Sequence, residues 1–415
     1  MKNTLLKLPA LLSALITMPA LAVDRIVEEF GVPPTYPNIM AAVAAAVDGD
    51  RIIVKNRAGD IPWIENIMVD KSLQFLSYAD NGFFVVQGNY SIVPATGRQV
   101  TIIGMRNTAG SVQAAAGSAT VRGTRVRVID SFLVNGGVQL ANVNFDAEVV
   151  GCTLQNGTVG ITFGSVIGND IDGSNITDEG ISVTGSVAGA ALDTCAIVGN
   201  KVKGRLSYEG IFVNTQHQVV HIRNNYVQHG WMGIEAYAGN TGAVPNLIWN
   251  NTVIAYTGQF TTYGINLANT NAGSIWEVMN NAITRTWNGE NRGINRDSGN
   301  TGQINVYFNH VSSNVSPAIS TGFTFEGSNT TNQAITLNAD GSFLNAPGAI
   351  NGGNPAAPFY DLDLTIGDAG AYGGSYTLTN FFPLHTGAAR VYMTGHPFNV
   401  RQGSTLRVKA NSFDR

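Results

Sequence analysis

Apolar positions recur through this chain in short alternating bursts, each opened by a glycine. Between Gly160 and Phe325 the glycine is followed by a branched apolar residue, any residue, and a second apolar one. The phrase appears at Gly160-Ile161, Gly180-Ile181-Ser182-Val183, Gly210-Ile211-Phe212-Val213 and Gly233-Ile234-Glu235-Ala236. It continues at Gly264-Ile265-Asn266-Leu267, Gly293-Ile294-Asn295-Arg296 and Gly322-Phe323-Thr324-Phe325, with gaps of 20 to 31 residues. A second phrase, aliphatic-x-x-Asn-x-Val/Ile, interleaves at Asn169, Asn200, Asn225, Asn251, Asn281 and Asn309. Two phase-locked repeats of this period predict one coil per repeat, stacked on its neighbours, because a single coil cannot bury its own apolar face.

Alternation inside the phrase sends the branched residues inward and the second and fourth residues after each glycine outward. The second-position column is Ser182, Phe212, Glu235, Asn266, Asn295 and Thr324. The fourth-position column is Thr184, Asn214, Tyr237, Ala268, Asp297 and Glu326. Inward rows are expected to run through Ile181/Val183, Ile211/Val213, Ile265/Leu267 and Phe323/Phe325. Arg296 breaks the row, so it needs a bend or a carboxylate partner. The six asparagines are expected to line a bend and bond the next coil.

Upstream, short strands are predicted at Arg51–Lys55, Asn66–Val69, Leu73–Leu76, Phe83–Val86, Val100–Ile103 and Arg125–Ile129. The alanine-rich run Ile39–Val47 is the one good helix candidate, with Asn38 as N-cap and Gly49 past its end. A cap is needed because an open terminal rung would template aggregation. Near the C-terminus, Ala389–Met393 and Ser404–Lys409 alternate like an exposed hairpin. The expected organisation is a signal segment at 1–22, an N-terminal cap at 23–50, a coil stack at 51–374 and a C-terminal hairpin or cap at 375–415.

The opening, with a helix, then Gly49-Asp50-x-Ile52-x-Val54, Glu65-Asn66-Ile67 and Asp70-Lys71-Ser72-Leu73, resembles right-handed parallel β-helix proteins. These form the pectin-lyase-like superfold, which includes carbohydrate-binding and sugar-hydrolase repeat proteins. The Gly-Ile and Asn-x-Val phrases extend the likeness to about residue 325. The segment Tyr360-Asp361-Leu362-Asp363-Leu364 through Gly373-Gly374 is similar to the terminal segment of many bacterial β-helices, with Leu364 where the usual form, Asp-x-Asp-Gly, has glycine. The resemblance implies an all-β, right-handed parallel β-helix. It does not imply one activity, since the superfold hosts lyases, hydrolases, esterases, epimerases and inert surface proteins.

Composition narrows the setting. Lys2, Lys7, the apolar stretch Leu8–Ile16 and Ala20-Leu21-Ala22 predict a secretory signal cut after Ala22, hence a secreted or periplasmic protein. No segment is long enough to span a bilayer as an apolar helix. Without Lys2 and Lys7 the chain carries 22 basic and 28 acidic residues, a net charge of −6, and 13% of the full chain is charged. Nucleic acid is therefore excluded as a partner, and the chain is read as a monomer. Cys152 falls at the asparagine column and Cys195 about two rungs on, a span of about 10 Å that disfavours a disulfide.

Chemistry is expected on the outward columns. Just before the glycines run Glu179, Glu209, Met232, Tyr263, Arg292 and Thr321. Stacked in register, Glu179 and Glu209 would face one another about 5 Å apart, a spacing that raises one pKa and suits an acid and a nucleophile of glycoside hydrolysis. Glu235 joins them as a candidate catalytic residue because it sits in a regular strand beside Phe212 and Asn266. Tyr208, His229, Trp231, Tyr237, Tyr263, Arg292 and Asp297 are the candidate substrate-binding residues, with Arg285, Trp287 and Glu290 further on. Aromatic faces suit sugar rings and arginines suit uronate carboxylates. His217, His221 and His229 fit no zinc spacing, so no metal is expected, and no cofactor is assigned. Pectate-lyase, polygalacturonase and alginate-epimerase signatures are missing. The sequence thus supports two readings: an exported protein that binds or cleaves extracellular polysaccharide, possibly acidic, along coils holding residues 205–297, or a non-catalytic surface or adhesin-like β-helix.

Overall fold

The computed structural model describes residues 22–414 apart from 81, 118–121, 142–144, 186–192, 205–207, 217, 257–260, 287–288, 290, 383–388 and 396–408. The expected signal segment, save Ala22, lies outside the described residues, as do His217, Trp287 and Glu290.

Each coil contributes one strand to each of three faces in turn. Strands such as Phe163–Ile167, Asp170–Asp172 and Ile181–Thr184 succeed one another along the chain, then the cycle repeats. Among the described residues this builds parallel sheets of 13, 11 and 10 strands, each strand pairing with its counterpart one coil away. The 13-stranded sheet begins at Asp24–Val27, the 11-stranded sheet at Trp63–Ile64 and the 10-stranded sheet at Ile67–Val69; they are called the first, second and third sheets below. Crossovers between parallel strands take the right-handed sense, so the architecture is an all-β right-handed parallel β-helix.

The predicted inward file is real. Ile181 pairs with Ile211, Ile211 with Ile234, Ile234 with Ile265 and Ile265 with Ile294. All are sealed from solvent, and each such burial contributes about 1.5–3 kcal/mol. Two ends of the repeat depart from the expectation. Gly160 pairs with Ser182, so Val159 and not Ile161 joins the file opposite Ile181. Phe325 is exposed and its strand pairs with the first sheet, while the bridge Ile294–Ile319 closes the third. Gly322-Phe323 is therefore not a rung of that file. Arg296 finds a carbonyl, not a carboxylate: its guanidinium donates to Asn300 O at 3.0 Å.

Why glycine opens each rung is visible from what a side chain would meet. A Cβ on Gly180, Gly210, Gly233, Gly264 or Gly293 would lie 2.3–2.7 Å from Val202, Val227, Val253, Ile283 or Val311 of the second sheet. The backbone approaches the opposite wall too closely for any side chain. Glycine and the residue after it both turn to the core, so the residue before it and the residue two after it both turn outward. This local break in alternation matters for the site below.

The asparagine column forms one continuous ladder at the bend between the first and second sheets. Asn169 Nδ2 donates to Asn200 Oδ1 at 2.9 Å, and the same bond repeats through Asn225, Asn251, Asn281 and Asn309 to Asn329 at 2.9–3.1 Å. Each Nδ2 also donates to a backbone carbonyl, as Asn251 does to Ile222 O at 3.0 Å. Cys152 continues the column, its N–H donating to Asn169 Oδ1 at 2.8 Å. Cys152 and Cys195 are both free and buried.

At the N-terminal end the helix Ile39–Ala45 lies over the stack, with Asn38 Oδ1 accepting from Ala41 N. Glu65 accepts from Ile39 N and Met40 N at 3.0 and 2.9 Å, and Lys71 donates to the carbonyls of Val43 and Ala44 at 2.8 and 3.2 Å. One coil thus complements both ends of the helix dipole. The sequence reading missed the strand Asp24–Val27, which pairs with Arg51–Val54.

Residues 335–382, which the sequence assigned largely to further coils up to Gly374, run back along the outer face of the second sheet. Ile335, Ala346, Ala349 and Ala369 pack on Ala282 and Ala371 and Leu378 on Tyr226 and Ile254, all of the second sheet, while Tyr376 and Phe381 reach Val150, Ile167 and Val198 at the ends of first-sheet strands. Beyond them Ala389–Gly395 pairs antiparallel with Lys409–Asp414, five residues later than the hairpin strand predicted from Ser404. The strap covers the second sheet and leaves the outer face of the third uncovered by this segment.

Candidate functional site

On that third face, Phe212 pairs with Glu235, Glu235 with Asn266, and Asn266 with Asn295. The residues before the glycines stack alongside: Met232 pairs with Tyr263 and Tyr263 with Arg292. Glu209 and Glu179 extend this second file through the bonds Gly210 N to Met232 O, 2.9 Å, and Gly180 N to Glu209 O, 3.1 Å. Because both files face outward around the glycines, Glu209 and Glu235 converge from successive coils. The carboxyl of Glu209 hydrogen-bonds Glu235.

Glu209 is 5% and Glu235 8% exposed. Burial, then the charge of Glu235 and the hydrogen bond to it, push Glu209 up to about 8. Burial also raises Glu235, while the bonds it accepts from Asn266 and Glu209 oppose the rise. Glu179 is half-buried and is pushed up to about 7, by burial first and then by its hydrogen bond to Asp178. Among the described residues, no arginine or lysine contributes to these shifts. The bond between them raises Glu209 and lowers Glu235, so Glu209 is the donor of the pair and Glu235 the acceptor. Glu179, expected to be the contact partner of Glu209, pairs instead with Asp178 and feels the other two glutamates only through their charge.

A polar file continues from Glu235. Asn266 Nδ2 donates to Glu235 Oε1 at 3.0 Å, and Asn295 Nδ2 donates to Asn266 Oδ1 and to Asp297 Oδ1, both at 2.8 Å. Asn266 and Asn295 were read as members of an outward column and not as site residues; their contact with the glutamates was not foreseen.

Among described solved structures, the chain is similar to pectate lyase Pel9A at 13% identity, covering 86% of this chain and 97% of that chain with a TM-score of 0.42. It is similar to the Dettilon tailspike protein (gp208) at 14% identity, covering 73% and 70%, with a TM-score of 0.26. No protein-family model and no curated protein matches the chain. Likeness at these scores carries no chemistry to this chain, whose coil is read from its own strand pairing.

The remaining candidates divide by position. Tyr208, Trp231 and Tyr263 are half-buried near the glutamates in sequence, and Tyr237 is exposed in the column that ends at Asp297. Arg292 lies over the Tyr263 ring, 5.6 Å from its centroid, a cation–π contact at the rim. His229 departs from the expectation. It is wholly buried and pushed down to about 3 by that burial, so it is a neutral wall residue that no glycan touches in this conformation. Among the described residues no group of three His, Cys, Asp or Glu side chains is arranged to hold a metal ion, and no helix is long and apolar enough to cross a membrane.

Proposed function

We propose that this chain binds a neutral polysaccharide along the outer face of its third sheet and hydrolyses it with Glu209 and Glu235. What supports this reading is the nearly dry hydrogen bond between two carboxyl groups, with Glu209 as its donor and Glu235 as its acceptor. A glycosidic oxygen entering the site takes the place of Glu235 as acceptor of the Glu209 proton. That proton leaves with the departing sugar hydroxyl as the glycosidic bond breaks. Glu235 removes a proton from water, whose oxygen bonds to the anomeric carbon. Glu235 then returns the proton to Glu209 across the bond seen at rest, and the cycle closes. Because water attacks the anomeric carbon directly, this cycle inverts the configuration, and the pair must open to about 6.5–9.5 Å around the sugar and the water.

Charge supports a neutral chain over a uronate. Among the described residues Asp178, Glu179, Glu209, Glu235 and Asp297 share this face, and Arg292 beside them is stacked on Tyr263. A uronate carboxylate would meet repulsion here, and β-elimination lacks a strong base among the three glutamates. Tyr237 and Tyr263 offer ring faces for sugars.

The nearly complete burial of both glutamates also fits a polar ladder in a protein that holds glycan without cutting it. Incubating the protein with neutral and acidic glycans, and assaying reducing ends and unsaturated products, separates these readings. Reducing ends from a neutral glycan, lost in Glu209→Gln and Glu235→Gln, are expected. Retention on the glycan with no turnover would leave a binding module, and unsaturated products would overturn hydrolysis.

A further inference from the structure

The file Glu235–Asn266–Asn295–Asp297 has a direction, and the direction has a source. A carboxylate only accepts hydrogen bonds, so the group that Asn295 turns to Asp297 Oδ1 at 2.8 Å is its NH2. The same Nδ2 reaches Asn266 Oδ1 at 2.8 Å, which leaves Asn266 no choice but to aim its own NH2 at Glu235 Oε1, 3.0 Å away. Asn266 is 2% and Asn295 5% exposed, so neither amide can reverse by borrowing water. A donor held against Glu235 favours its ionised form and sends the shared proton to Glu209.

We propose that Asp297 acts as a positioning residue two coils away, fixing through the amides of Asn295 and Asn266 which of Glu209 and Glu235 holds the shared proton. The inference rests on these two glutamates being the working pair. Its physics belongs to the resting protein. Around Glu235 stand Glu209 and Glu179 from the preceding coils and Asp297 from the strand Asn291–Arg296. Arg292 of that strand is stacked on Tyr263, and Arg296 is bound to the Asn300 carbonyl.

The relay and simple charge repulsion predict opposite signs, which makes the inference decidable. The charge of Asp297 acting directly raises Glu235, so removing it would lower Glu235. Through the relay, removing Asp297 frees both amides to reverse and present Asn266 Oδ1 to Glu235, which raises Glu235 and releases the proton from Glu209. The experiment is a carboxyl-carbon NMR titration of protein carrying labelled glutamate, with resonances assigned from Glu209→Gln and Glu235→Gln. Asp297→Ala is expected to shift Glu235 up and Glu209 down. In an Asn266→Leu background Asp297→Ala is expected to lose that upward shift, because the wire is already cut. A downward or absent shift of Glu235 in Asp297→Ala overturns the relay, as does an upward shift that persists without Asn266. No glycan is present, so the relay can fail while turnover stands, and turnover can be absent while the relay stands. Far-UV circular dichroism of each variant confirms that the coil is intact, and Asp297→Asn, which removes the carboxylate at nearly constant size and carries the same expected shifts, replaces Asp297→Ala if that variant folds poorly.

Discussion

Glu209 donates a hydrogen bond to Glu235, although one residue precedes its glycine and the other follows its own glycine by two. The contact exists because the glycine column breaks the alternation and aims both positions outward. If the pair works as acid and base, Glu209→Gln and Glu235→Gln each lower glycan turnover by about 10²–10⁴-fold, with strand content unchanged. Turnover in wild-type protein falls as pH rises through about 8, where Glu209 loses the proton it must give. A Glu209→Gln protein of wild-type activity would remove Glu209 from the reaction.

Glu209 and Glu179 set a pH dependence of stability that needs no substrate. Glu209 and Glu179 are raised from 4.5 to about 8 and about 7, so above about pH 4.5 the unfolded chain releases protons that the native protein keeps. The native state then binds more protons than the unfolded one, and unfolding free energy falls with rising pH. The fall begins near the unfolded value and ends near pH 8. Below about pH 6.5 the buried histidines His221 and His229, pushed down to about 4 and about 3, add a slope of the opposite sign, so denaturant titrations from pH 7 to 8 should show this decline in wild type and a shallower one in Glu209→Gln.

The coil could be read from the sequence because its two signals are columns: glycine where walls nearly touch and asparagine where a bend must bond its neighbour. Phe212, Glu235, Asn266 and Asn295 fell in one file for the same reason. Which glutamates meet could not be read, since parity through a glycine depends on whether its own missing side chain points in or out. The Glu179–Glu209 expectation assumed one file and missed that two files converge. His229 reads from the sequence as a substrate-binding candidate, yet it is the last residue of the strand Tyr226–His229 and lies within the wall. The strap over the second sheet was hidden because alanines such as Ala346, Ala349 and Ala369, packed on Ala282, carry no periodic pattern.

Within the asparagine ladder, Asn251→Ala strands several partners at once. Asn225 N and Nδ2 lose the acceptor Asn251 Oδ1, and the Ile222 carbonyl and Asn281 Oδ1 each lose a donor. With buried groups costing about 1–3 kcal/mol each when orphaned, a loss of about 2–5 kcal/mol is expected from denaturant midpoints. Asn329→Ala, at the half-buried end of the ladder, should cost clearly less. Equal losses would mean that the ladder is not cooperative with burial.

Cys152 and Cys195 are free and buried, and burial pushes both thiols up to about 12. A thiol that stays protonated and shut from solvent reacts slowly. Native protein should therefore leave both unmodified by an alkylating reagent for as long as it stays folded, and take up two labels on unfolding. A reductant should not move its melting temperature. Loss of stability on reduction would show a bridge between them.

Leu364 stands at φ +67 in the loop that Asp361 organises by accepting from Asp368 N at 3.0 Å, and it is 79% exposed. A left-handed conformation costs a non-glycine residue about 1–2 kcal/mol, and here the side chain buries little to offset it. Glycine adopts the same angle without strain but gives up more chain entropy on folding, which returns part of the gain. Leu364→Gly should thus stabilise the protein by up to about 1 kcal/mol, read as a rise in denaturant midpoint at constant slope. The turn at Asp361–Gly374 ties the strap to the coil through Asn250 Nδ2 and Asp368 O at 3.0 Å, so a gain there should also slow proteolysis of the strap. A Leu364→Gly variant less stable than wild type would mean that the leucine makes a contact worth more than the strain it carries.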